Sequence, residues 1–158
     1  MKVFPVLSDT ARPGANMNVS LLNAGWAFTT ATPLPPPGEG WTLHAHALVV
    51  FVEAEWQELN KPHDVVIELL DQDSEHVQFR NESQLKQARI AMPLTVPSIP
   101  GAPNGTPGRA HLLVELGTGS VQMKHAPGRL IWRVTVGANA AETGFWVHVP
   151  PSEPQFGL

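Results

Sequence analysis

Apolar residues along this chain recur with a period of two far more often than with a period near 3.6, and that spacing predicts strands. Val3 to Leu7 and Val19 to Leu22 are short apolar runs separated by ARPGANMN, whose Pro, Gly and Asn suit turns. WAFTT, after Gly25, is aromatic and β-branched. It leads into ATPLPPPGEG, where four prolines withhold backbone donors and favour a polyproline II path, so this stretch is not expected as a central strand.

Leu43 to Glu53, LHAHALVVFVE, alternates at its start and is continuously apolar in its middle, which predicts a strand crossing the core. On such a strand His44 and His46 share one face with Leu48, Val50 and Val52. EAEWQELN has room for a turn or two of helix. DVVIELLD, the polar DQDSE and HVQFR then read as strand, turn and strand. Gln84 to Met92 fits either period and is read as a strand. PSIPGAPNGTPG, with four prolines and three glycines, is expected to be an exposed loop. AHLLVEL, RLIWRVTV and GFWVHV follow as strands, and the tail PPSEPQFGL is too rich in proline to pair in a sheet.

With no helix long enough for a βαβ crossover, the expected fold is all-β. It is read as an antiparallel β-sandwich, immunoglobulin-like or jelly-roll-like, of about eight strands with Pro/Gly-rich loops. A chain of 158 residues suits one domain, taken as residues 1–149, followed by a C-terminal arm, residues 150–158.

Composition narrows the function classes. With 10 basic and 14 acidic residues, a net charge of −4 and no basic cluster, the chain is a poor match for nucleic acid. Cysteine is absent, which removes disulfides, thiolate metal sites and cysteine nucleophiles. MKVFPVLSDTARPG has too short an apolar run for a signal-peptide core, and no segment approaches the roughly 20 apolar residues that span a bilayer. The expectation is a soluble protein made in a cytoplasm, open to later incorporation into a virion.

The stretch ALVVFVEAEWQELNKPHDVVIELLDQDSEHV, with its Trp-containing loop, its Asn-x-Pro-His turn and its ELLDxD hairpin, resembles a family of uncharacterised actinobacterial and actinophage β-sandwich proteins. LLNAGWAFT and APGRLIWRVTV resemble that family's early and late strands, and Ser74 stands where the family's hairpin carries glycine. The likeness runs in order through most of residues 1–149. It implies a sandwich and no reaction, ligand or catalytic residue.

Four features of the sequence bear on chemistry. Asp71, Asp73 and Glu75 alternate as calcium ligands do, but the EF-hand glycine and distal glutamate are missing, so a polar turn is the preferred reading. A surface cation site at those carboxylates is the alternative to the turn, and His44 and His46 are a second metal alternative, needing a third ligand such as His63, His111 or His148. No G-x-S-x-G elbow and no phosphate-binding glycine loop is present. Of five tryptophans, Trp132 and Trp146 lie within apolar strands and are expected in the core, whereas Trp41 and Trp56 border loops and are candidates for partner contact.

The reading is therefore a non-enzymatic structural or protein-interaction module without a cofactor, docking on a larger assembly. A capsid decoration or minor capsid protein is its concrete form. The partner-binding residues are Trp41, Trp56, Pro150, Pro151, Pro154, Phe156 and Leu158, with a shell or capsid protein as partner, self-association as a further option, and no nucleic acid or membrane. The alternative is a small-ligand-binding or metal-dependent protein using the His44/His46 face.

Overall fold

The computed structural model describes residues 1–14, 18–34, 40–81, 84–117, 119–122 and 128–150. Fourteen short strands run through them, where about eight are expected from the sequence. The first half carries β1 (Lys2–Ser8), β2 (Thr10–Pro13), β3 (Val19–Leu22), β4 (Phe28–Pro33), β5 (Trp41–Leu43), β6 (His46–Ala54) and β7 (Pro62–Asp71). The second carries β8 (Gln78–Asn81), β9 (Gln84–Gln87), β10 (Arg89–Thr95), β11 (Gly108–Leu116), β12 (Gly119–Gln122), β13 (Arg129–Val136) and β14 (Asn139–His148). The only helical turn among the described residues is a 3₁₀ turn at Trp56–Glu58, in the segment where a short helix was expected.

The chain is all-β, in a small sheet, a large sheet and a hairpin. The small sheet has the order β1-β6-β11. The large one, β10-β7-β13-β14-β4-β5-β12-β8-β9, curls into a half-barrel. Its ends are tied at Ala88, whose carbonyl accepts from the Leu69 N–H and whose N–H donates to the Val77 carbonyl, both at 2.9 Å. Named pairs are antiparallel except β14 with β4. Gln84 to Met92 is thus two strands, β9 and β10, hinged at Ala88.

The inner faces of the two sheets share one core. β6 contributes Leu48, Val50 and Val52, facing Ile67 and Leu69 of β7, Trp132 and Val134 of β13, and Phe145 and Val147 of β14, all buried and all at alternate positions. Burying each such side chain contributes roughly 1.5–3 kcal/mol against chain entropy. The β2–β3 hairpin lies on the other face of β6, where Ala11 buries Ala47 and Val49. Cover on both faces is why ALVVFV reads as an unbroken apolar run.

Two expectations are corrected. Leu43 to Glu53 is not one strand: His44 and Ala45 lie outside β5 and β6. And residues 31–33 of the proline-rich stretch do extend a strand inside the large sheet. β4 pairs with β14 through residues 28–30 and with β5 through residues 31–33, so Pro33 falls where β14 no longer runs alongside. Its missing donor therefore interrupts one ladder at most.

The acidic turn is a staple. The Asp71 carboxylate accepts from the backbone N–H groups of Asp73 and Glu75, each at 2.9 Å, and the Ser74 N–H donates to the Asp71 carbonyl at 3.0 Å. Ser74 sits at φ 63°, a left-handed conformation that glycine adopts without steric cost. Ser74→Gly is expected to raise stability by about 0.5–1 kcal/mol, as read by urea unfolding. A loss would mean that the Ser74 side chain does more for the turn than its backbone strain costs.

Candidate functional site

His46 is 4% exposed. Trp26 and Phe145 meet its ring edge-on at centroid distances of 5.6 Å each. The Trp132 indole N–H donates to His46 Nε2 at 3.3 Å. Since indole nitrogen only donates, Nε2 accepts, and Nδ1 carries the proton that it donates to the His44 carbonyl at 3.0 Å. Both ring nitrogens are thereby used within the fold. His44 is exposed on the β5–β6 connection, so the two imidazoles do not share a strand face, and among the described residues no group of three potential ligands converges.

Burial holds the His46 imidazole below its ordinary 6.5, against the opposing hydrogen bond to the His44 carbonyl. Protonation would also set a second N–H against the Trp132 donor. The unfolded chain thus binds more protons than the folded one once pH falls through 6.5. This contribution to stability is present above 6.5 and is lost on acidification, by at most about 1.4 kcal/mol per pH unit. His46→Gln, which keeps an acceptor for Trp132, is expected to flatten that slope between about pH 6.5 and 5 in urea unfolding. The Glu68 carboxylate lies outside that window: held low first by its hydrogen bond from His76 and then by the charges of His76 and Arg89, it acts only below 4.5.

The outer face of the half-barrel is mostly a solvated ladder of alternating charge. Arg89, Glu68, Arg133 and Glu142 stand side by side on β10, β7, β13 and β14. Arg133 meets Glu142 at 2.7 Å, and Glu68 accepts from His76 at 2.8 Å. Exposed pairs of this kind contribute little each.

Two registers toward the end of β14 the same face turns aromatic. Trp146 pairs with Arg129 on one side and Phe28 on the other, and Phe28 is 70% and Trp146 60% exposed. This corrects the placing of Trp146 in the core. Phe145 and Trp146 are consecutive on a strand, so their side chains take opposite faces, and Phe145 holds the buried one.

Trp132 is in the core as expected, at 1% exposure. Trp41, a partner-contact candidate, is half-buried and packs against the main core, while Trp56 stands exposed on the 3₁₀ turn. Pro150 is exposed and leaves directly from the strand that carries Trp146. Pro151, Pro154, Phe156 and Leu158 lie outside the described residues. Sequence reasoning missed Phe28 and Arg129; the usable signal was the adjacent Phe145–Trp146, which forces one large aromatic outward.

Comparison of the chain with protein-family models and with curated proteins returns no match.

Proposed function

We propose that this chain is a non-catalytic interaction module, a distorted antiparallel sandwich of jelly-roll or immunoglobulin type. It docks on a larger assembly through the face formed by Phe28, Trp146 and Arg129, with the adjoining C-terminal arm as a second contact. The observation that carries this reading is the pairing of two large aromatic rings in register on the outer face, each more than half exposed. Paired apolar rings beside a cation match the centre of a protein interface, where aromatic residues and Arg are enriched.

A virion accessory protein is the concrete form of this proposal, supported by low charge, absent cysteine and the proline-rich arm. The test is capture from native lysate or purified particles with the full chain beside a chain ending at Val149, read by mass spectrometry. One abundant structural partner, retained by the full chain and weakened in the shortened one, is the expected result. Equal capture by both removes the arm from the interface.

A further inference from the structure

On the opposite side of the core, away from the aromatic face, two hollows adjoin and share Asn18 and Arg109. One has a volume of ≈ 910 Å³ and is walled mainly by Pro97, Ile99, Pro100 and Pro107. The other, ≈ 390 Å³, runs over Phe51 and His111 on the outer face of the small sheet. Each has a volume in the range of small-molecule sites, and the larger is lined mainly by apolar side chains.

The proline wall is fixed in place. Asn60 grips it through three bonds: its Nδ2 donates to Ser98 Oγ, its Oδ1 accepts from the Ser98 N–H, and its N–H donates to the Val96 carbonyl. Behind the wall, a Cβ on Gly108 would stand 2.5 Å from Leu59 Cδ2 and 2.6 Å from the Pro97 carbonyl oxygen, so the segment is seated tightly against β11. Thr106 Oγ1 closes the far turn on the Pro103 carbonyl at 2.7 Å. A pre-formed wall loses little entropy when a ligand enters.

The rim carries an excess of positive charge. Lys2, Glu53 and Arg109 are neighbours on the three strands of the small sheet. Glu53 accepts from Lys2 at 3.2 Å and from Arg109 Nε and Nη2 at 3.1 and 3.0 Å, which leaves two cations against one carboxylate. The Arg109 side chain is 82% exposed, and Glu53 engages one side of a guanidinium fork that has five donors. Ile99, 53% exposed, supplies the apolar surface that a ligand would cover.

We propose that this cleft binds a small amphipathic anion: an aliphatic or aromatic body laid on the prolines and Ile99, with one carboxylate on the unused donors of Arg109. The site is independent of the aromatic docking face.

The test is titration of the full chain with decanoate and with 4-phenylbutyrate, followed by backbone amide NMR shifts, beside decan-1-ol as the uncharged control. Saturable shifts confined to Asn18, Phe51, Ile99, Arg109 and His111 are expected, with at least about tenfold weaker binding in Arg109→Gln. Ile99→Ser should weaken binding without altering the preference for carboxylate over alcohol. No saturable shift from either acid below about 5 mM, equal binding of decan-1-ol, or retention of affinity in a folded Arg109→Gln would each overturn the proposal.

Discussion

Trp132→Ala is expected to lower stability by about 3–5 kcal/mol, a large share of the roughly 5–15 kcal/mol that a domain possesses. The indole is 1% exposed, lies at the middle of β13 between β7 and β14, and packs in the core shared by both sheets. Removing it opens a cavity that a β-sheet cannot collapse into without breaking its ladders. It also strips His46 Nε2 of its donor, and an unpaired buried acceptor costs about 1–3 kcal/mol. Trp132→Phe separates the two effects: it refills most of the volume but leaves Nε2 unpaired, so a loss of about 1–3 kcal/mol is expected. With no indole N–H facing Nε2, protonation of His46 no longer breaks a bond, and the acid slope of stability should shrink. Urea unfolding followed by circular dichroism at several pH values reads both quantities. An unchanged slope in Trp132→Phe would mean that burial and the opposing His44 hydrogen bond, without the Trp132 donor, set the His46 imidazole.

The double replacement Phe28→Ser with Trp146→Ser is expected to weaken partner binding by at least about 100-fold while changing stability little, within about 0.5 kcal/mol per site. The asymmetry follows from where the rings sit. At 70% and 60% exposure they contribute little buried area to the folded monomer, and a partner that covers them gains the whole of it. Trp56→Ser serves as the comparison, since Trp56 is also exposed but stands alone on the 3₁₀ turn. If Trp56→Ser abolishes binding and the double variant does not, the docking face lies at that turn.

The strands were largely legible because their apolar residues alternate: the Val65, Ile67 and Leu69 face of β7 and the Leu130, Trp132 and Val134 face of β13 follow from period two alone. The site was less legible, for reasons that lie in the register. Nothing in LHAHALV marks His44–Ala45 as a break, since neither residue bars extended backbone, yet that break puts His44 in solvent and His46 beside Trp132. Phe145 and Trp146 announce one outward aromatic, but only the cross-strand partners decide which, and those include a parallel neighbour 118 positions earlier in sequence, Phe28 beside Trp146. Ala88, which ties the half-barrel, carries no side-chain signal at all. DVVIELLD and HVQFR start as the expected hairpin, with Leu70 bridged to His76, but Ala88 takes the next ladder positions and β8 departs to pair with β12 and β9.

The docking claim is tested most directly by placing a photoreactive phenylalanine analogue at position 146, and separately at position 56, in the full chain under native conditions. Irradiation at 146 should give one dominant protein adduct that disappears when Phe28 is replaced by serine, with little adduct from 56. An adduct from 56 with none from 146 would contradict the assignment of the Phe28–Trp146 face.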